Sequence, residues 1–143
     1  MFPILSFFFL ACGGVSPETL RKAGLMEPEL ETELYETALE SGEPAKCAQL
    51  NVSLRGDCIA ATSSTLAKTD PQAALYACDT AEQQKWRSEC FFSVSDTAGL
   101  IGANALEVCA LTGSFQNDCL RHAAAREVEQ YVFPRLSLDD PAK

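Results

Sequence analysis

The sequence predicts an all-α protein, a short solenoid of about three helical hairpins linked by intramolecular disulfides. One observation is that no stretch of useful length alternates apolar and polar residues, as a half-buried strand would. A second is that six of the seven cysteines recur at regular intervals. A third is a short pattern of residues that recurs three times, each time just before a cysteine, which is typical of stacked structural units.

The composition fits one globular unit with an acidic surface. The chain has 143 residues, of which 47% are hydrophobic, and a formal net charge of −9. Nucleic-acid binding depends on clustered Lys and Arg that release counterions from phosphates, so no nucleic-acid partner is expected. The chain has a single histidine, His122, and contains no P-loop, GxGxxG, HExxH or GxSxG string. We therefore expect no cofactor, no metal site and no enzymatic activity.

The first residues predict a processing segment that does not belong to the fold. Residues 1–11, MFPILSFFFLA, are uncharged and apolar, and number about half of the roughly 20 residues that a membrane-spanning helix needs. This length suits the apolar core of a signal peptide. Residues 9–13, FLACG, resemble the lipobox of bacterial lipoproteins, whose cysteine is acylated before cleavage makes it the new N-terminus. The resemblance implies lipid attachment at Cys12, and Gly13 after it favours the outer membrane.

A lipid anchor at Cys12 would make the membrane a permanent partner, since each buried methylene contributes about 0.8 kcal/mol. The predicted location is therefore outside the cytosol, anchored to the bacterial outer membrane at its periplasmic face or at the cell surface. The alternative interpretation is an ordinary signal peptide cleaved elsewhere, which would leave Cys12 as an unpaired thiol.

The chain after the anchor divides into three segments. Residues 12–29 are interpreted as an acidic tether with a short helix, residues 30–133 as the disulfide-linked repeat domain, and residues 134–143 as a flexible tail. A helix is predicted from Pro28 to Ser41–Gly42, with an apolar stripe of residues spaced by four. Its glutamates are expected to form a solvated face or, alternatively, a docking or cation-binding surface. The stripe consists of Leu30, Leu34 and Ala38.

Six cysteines remain for the repeat domain, and an even number of them in an exported chain predicts disulfides. The first members of the three pairs are 31 residues apart, and the second members follow 11, 12 and 10 positions later. Before each second cysteine stand a large apolar residue, Arg or Gln, a small or polar residue and an acidic residue. We expect the large apolar residues to fill equivalent gaps between helices. The first members are Cys47, Cys78 and Cys109, the second members are Cys58, Cys90 and Cys119, and the large apolar residues are Leu54, Trp86 and Phe115.

Two local pairings are compatible with this spacing. Pairing Cys47–Cys58, Cys78–Cys90 and Cys109–Cys119 uses every thiol and is preferred. Pairing Cys58–Cys78 and Cys90–Cys109 instead leaves the two outer cysteines without partners. The spacing differs from that of zinc knuckles and of CxxC redox sites, so metal or redox chemistry is not expected.

Each unit is predicted to contain two helices. A short helix ends at the first cysteine, with Glu43–Pro44 and Asp70–Pro71 as starts of two of the three. A long helix begins around the second cysteine, so an acidic residue next to that cysteine would lie in the first turn, where it favours the helix dipole. These acidic residues are Asp57, Glu89 and Asp118, and the last long helix is expected over Cys119–Phe133, before Pro134.

Four more side chains have two interpretations each. Trp86 is interpreted as a core residue, with stacking on a ligand as the alternative. Arg55 and Arg87 are expected to cap loops or pair with carboxylates, with anion binding as the alternative. His122 is expected to be an ordinary helix residue, although a histidine can titrate near neutral pH.

The chain resembles a bacterial lipoprotein with cysteine-linked α-helical hairpin repeats, loosely similar to tetratricopeptide and Sel1-like arrays. Such arrays generally bind proteins, so the resemblance implies a membrane-anchored adaptor or scaffold for another envelope protein. One alternative is an accessory or inhibitory subunit of an envelope enzyme. Another is a small hydrolase that uses carboxylates such as Glu82, Glu89 or Asp118.

Overall fold

A computed structural model describes residue 19 and residues 28–131. Every regular element in that part of the chain is helical, which confirms the all-α prediction. The predicted signal peptide, the lipid-attachment residue Cys12, most of the acidic tether and the tail 134–143 lie outside the described residues. Among the residues described, no helix is long and apolar enough to cross a membrane.

Six α-helices and two 3-10 helices follow one another along residues 28–131. The helix predicted from Pro28 ends at a glycine with positive φ, Gly42 (φ 62°), whose N–H donates to the Ala38 carbonyl at 3.0 Å. The elements are α1 (Pro28–Ser41), the first 3-10 helix (Pro44–Gln49), α2 (Val52–Leu66), α3 (Pro71–Cys78), α4 (Gln84–Thr97), α5 (Gly102–Cys109), the second 3-10 helix (Gly113–Phe115) and α6 (Gln116–Tyr131).

Helices α2 and α4 pack against each other at the centre of this part of the chain. Helix α2 also contacts α1, the first 3-10 helix and α3, whereas α4 contacts α3, α5 and α6. The start of α3 is the predicted one, because Asp70 Oδ1 accepts the N–H of Ala73 at 2.9 Å. The three cysteine-bearing long helices therefore contact one another in chain order, α2 with α4 and α4 with α6.

The three disulfides have the preferred pairing. Each joins a short element or its end to a long helix, with Cα–Cα distances between 5.5 and 5.7 Å. All six of these cysteines are at most 2% exposed. The pairs are Cys47–Cys58, Cys78–Cys90 and Cys109–Cys119.

The core is built largely from small side chains. Alanines and half-cystines make up most of it, and the few larger buried residues include Leu50, Ile59, Phe91 and Val94. Small side chains bury little apolar area each, so hydrophobic burial alone stabilises such a core weakly. We infer that the disulfides supply a large part of the stability of this domain.

The long helices begin earlier than the sequence predicts. Helices α2 and α4 begin six residues before their cysteine, and α6 begins three residues before Cys119. Asp57 and Glu89 therefore lie inside their helices, so the prediction that they occupy a first turn is wrong. Asp118 does lie in the first turn of α6.

The early start of α2 and of α4 is explained by an arginine in the first turn of each helix. Arg55 Nη2 donates to the Leu50 carbonyl at 3.2 Å, and Arg87 donates to the Ala81 carbonyl from Nε at 3.0 Å and from Nη2 at 2.7 Å. Leu50 and Ala81 each stand three residues after the first cysteine of their pair and are fully buried. Starting the helix upstream places a guanidinium on a loop carbonyl that would otherwise be buried without a partner. These contacts confirm the capping interpretation of both arginines.

The large apolar residues of the repeated pattern are not equivalent. Trp86 of α4 lies so close to Gly56 of α2 that a Cβ on the glycine would be 2.3 Å from the ring Cδ1. Phe115 stacks on Phe92 of α4, with ring centroids 5.6 Å apart. Leu54 is 38% exposed, so the expectation that it fills a matching gap is wrong. No cysteine-bearing long helix precedes α2 in the described chain, so Leu54 lacks the kind of neighbour that Trp86 and Phe115 have.

Helix α1 is held to α2 partly by polar contacts. The Tyr35 hydroxyl donates to Asp57, and Glu31 Oε1 accepts the N–H of Asn51 at 2.8 Å. Burial, the hydrogen bond to Asp57 and the charge of that carboxylate together raise the pKa of Tyr35 to about 12. The apolar stripe of α1 contributes through two of its predicted members, since Ala38 is fully buried and Leu34 packs against the core.

Candidate functional site

A mainly apolar groove lies between the first 3-10 helix, α2 and α3. Its volume is about 530 Å³, and it is open to solvent. Residues of α2, including Ile59, contact it from one side, and the two short elements line the others. The apolar lining consists of Pro44, Ala45 and Ala48 of the 3-10 helix, Ile59 and Leu66 of α2, and Ala73, Tyr76 and Ala77 of α3.

The groove exists because the two short elements carry alanines where they line it. On α3 the lining residues Ala73, Tyr76 and Ala77 lie on one face of the helix, and Thr80 follows in the turn after it. Alanine side chains end at Cβ, so they leave the space between the elements unfilled. Tyr76 stands at this groove with 77% of its surface exposed, the largest exposure among the large hydrophobic residues of the described chain.

Two charged residues lie at the groove, Arg55 and Glu82. The distance from Arg55 Nη1 to Glu82 Oε1 is 2.9 Å. The arginine side chain is 25% exposed, whereas the glutamate side chain is 62% exposed. The same two residues border a smaller cavity next to Gly56. The site therefore combines an apolar wall with one half-buried cation and its exposed partner.

A second groove lies on the opposite face of α3, towards α5. Its volume is about 500 Å³, close to that of the first groove. Its lining is more polar and includes Asp70 and Glu107 but no basic residue. The short elements thus form a surface with two neighbouring grooves of different chemistry. The second groove is lined by Thr69, Asp70, Pro71, Gln72, Leu75, Leu100, Asn104, Glu107 and Val108.

His122 and Arg126 of α6 both bind Asp96 of α4. His122 Nδ1 lies 2.7 Å from Asp96 Oδ1, Arg126 donates to the same oxygen, and Arg126 Nη1 donates to the Leu100 carbonyl at 3.1 Å. Burial alone raises the pKa of Asp96, but the hydrogen bonds and charges of His122 and Arg126 outweigh it and hold the pKa below its ordinary value. The cluster joins α4 to α6, and we interpret it as a structural contact.

Two of the three carboxylates considered for hydrolysis form ion pairs, each with a different arginine. Glu82 pairs with Arg55, Asp118 pairs with Arg121, and Glu89 lies inside α4. Within the part of the chain that the structure describes, no group of three or more His, Cys, Asp or Glu side chains is placed to hold a metal ion. The groove beside α3 is the strongest candidate site.

No protein-family model, curated protein or solved structure matches the chain.

Proposed function

We propose that the protein is an exported lipoprotein, anchored to the bacterial outer membrane through Cys12, that acts as a non-enzymatic adaptor for another envelope protein. The groove beside α3 is the observation that carries the proposal. An open apolar groove with an exposed tyrosine suits a protein segment, because aromatic anchors in desolvated pockets supply much of the binding energy at interfaces. The buried disulfides agree with export, since disulfides persist outside the cytosol.

We further propose that the domain is a short solenoid of three disulfide-linked hairpins. Two close contacts between successive repeat units support this arrangement. Trp86 lies on Gly56 of the unit before it, and a Cβ on Gly113 would be 2.8 Å from Ser88 Oγ of the unit before it. Gly56 and Ser88 occupy the same position of the repeated pattern. Solenoids present extended surfaces to their partners, as the grooves on either side of α3 would.

A second candidate function, an accessory or inhibitory subunit, is favoured by the acidic face of α1. Glu29, Glu33, Glu36 and Glu40 are exposed, and their spacing places them on one side of the helix. Helix α1 contains no Lys or Arg. Such a face would cover a basic site on an enzyme. Binding through it would weaken strongly as salt rises, whereas binding in the apolar groove would not.

The lipid anchor can be tested by the intact mass of protein extracted from membranes. Thiols are alkylated with and without prior reduction. We expect a chain that begins at Cys12 and carries acyl groups, and six cysteines that are alkylated only after reduction. A Cys12→Ser variant is the control and is expected to carry no acyl group. A chain cleaved at another residue, or Cys12 recovered as a free thiol, would contradict the anchor.

Binding in the groove can be tested by crosslinking in cells. A photoreactive side chain replaces Tyr76, and the matched control carries it at Ala124, an exposed position on α6. We expect one envelope protein to be captured from position 76 and not from position 124. Adding Ala73→Trp, which fills the groove, should abolish the capture, whereas Ala124→Trp should not. Equal capture from both positions, or capture that survives Ala73→Trp, would rule out the groove as the binding site.

A further inference from the structure

The two repeated arginines are used differently, although they occupy the same position of the pattern. Arg87 directs both Nε and Nη2 to one carbonyl, that of Ala81, at 3.0 and 2.7 Å. Arg55 directs only Nη2 to the matching Leu50 carbonyl, and its Nε is buried without a hydrogen-bond partner in the described structure. The guanidinium of Arg55 instead extends Nη1 to Glu82 at the groove. One arginine is occupied by its loop, and the other is partly available to the groove.

The partner that Arg55 has at the groove is easily replaced. The Glu82 side chain is 62% exposed, so it can return to water at little cost when the ion pair opens. Exposed ion pairs of this kind contribute little net stability. A guanidinium forms charge-assisted hydrogen bonds with any carboxylate in the correct geometry, often two at once. A second carboxylate that also brings apolar groups into the groove would therefore displace Glu82.

We propose that the groove beside α3 binds the C-terminal segment of a partner protein, with the terminal carboxylate on Arg55 and apolar side chains between the first 3-10 helix and α3. This inference rests on the proposed adaptor function and identifies the segment that the adaptor recognises. Arg55 is the only basic residue among those that line the groove, and the remaining lining is mostly apolar. A ligand that matches it needs one carboxylate next to apolar groups.

A peptide suits this groove better than a fatty acid does. Pockets for small apolar ligands enclose most of the ligand surface, whereas this groove is open to solvent. The exposed ring of Tyr76 offers both an apolar face and a hydroxyl, which matches a peptide that has side chains and backbone amides. The alanines that line the groove leave room for branched side chains of a bound peptide, which larger lining residues would fill.

The test measures binding by fluorescence anisotropy. The probes are fluorescein-labelled pentapeptides built from Ala, Val, Leu and Phe, prepared as one pool with a free C-terminal carboxylate and as another with a C-terminal amide. We expect the protein to bind the free-acid pool at least about tenfold more tightly than the amide pool. Arg55→Gln should remove this preference, and Arg87→Gln, the matched control, should retain it.

A second variant keeps the test informative if Arg55→Gln does not fold. Glu82→Gln leaves Arg55 without its competing carboxylate, so the free-acid pool should bind up to about fivefold more tightly while binding of the amide pool is unchanged. Equal binding of the two pools by the unmodified protein, or no binding of either, would overturn the inference. Palmitate that displaces the peptides and binds more tightly would also overturn it, in favour of a lipid ligand.

Failure of this inference can be told apart from failure of the adaptor function. If both pools bind equally and Ala73→Trp abolishes their binding, the groove binds peptides without recognising the terminal carboxylate. If neither pool binds, the carboxylate inference falls, and crosslinking from position 76 separately decides the adaptor function.

Discussion

Replacing Cys78 and Cys90 together with alanine is expected to lower the free energy of unfolding by about 3 kcal/mol, because the unfolded chain regains the freedom of a closed loop. The two residues are 12 positions apart, and both are fully buried in the core cluster. In a core built largely from small side chains, such a loss is a large fraction of the total stability. Chemical denaturation followed by circular dichroism measures it.

The matched control is the double substitution of Cys109 and Cys119, which are 10 positions apart. The two loops are of similar length, so the chain-entropy contribution is nearly the same for both. Cys109 and Cys119 are buried but lie outside the main core cluster. If the free energy of unfolding falls further in the Cys78/Cys90 variant than in the Cys109/Cys119 variant, the difference therefore measures lost packing in the core. A loss below about 1 kcal/mol in that variant would show that this disulfide does not stabilise the core as argued.

Gly56→Ala is expected to destabilise the protein by about 1–3 kcal/mol, the usual cost of forcing an extra group into a packed core. Helix propensity alone predicts the opposite sign, since alanine is about 1 kcal/mol more favourable than glycine inside a helix. The contact with Trp86 decides the outcome. A Cβ at position 56 would be 2.3 Å from the ring Cδ1 and 2.9 Å from the Cβ of Trp86, so a rotation of the ring alone cannot relieve the overlap.

A double-mutant cycle with Trp86→Ala supplies the control for this prediction. Trp86→Ala removes the indole ring but keeps a Cβ that would lie 2.9 Å from the new methyl group, so Gly56→Ala should cost clearly less in that background than in the unmodified protein without becoming stabilising. The free energies of unfolding of the four proteins give the coupling between the two residues. Additive effects would mean that Trp86 does not lie on Gly56, and the stacking of α4 on α2 would lose its main support.

Local features of the fold could be predicted from the sequence. The start of α3 at Asp70–Pro71 and the end of α1 at Gly42 follow from capping and from backbone geometry that a few neighbouring residues determine. The spacing left two local pairings open, and the one that uses every thiol is the one present, with partners only 10 to 12 residues apart. All of these features depend on residues that are close together in the sequence.

The starts of the long helices could not be predicted in the same way. The residues directly before these helices are Asn51 and Gln83, and neither makes a side-chain hydrogen bond at the helix N-cap. The helix boundary depends instead on a buried loop carbonyl that Arg55 or Arg87 must reach. That requirement appears only when the loop is packed against the core.

The sequence by itself determined the helical class of this protein, its three cysteine pairs and the positions at which several helices begin or end, because these features arise from neighbouring residues. Only the tertiary structure decided that Trp86 lies on Gly56 and that Leu54 stays exposed. It also decided that alanines of two separate elements leave a groove beside Arg55. The physical reason is that a groove, like a close contact, depends on which side chains from distant parts of the chain meet, and a repeated pattern does not place its members in identical surroundings.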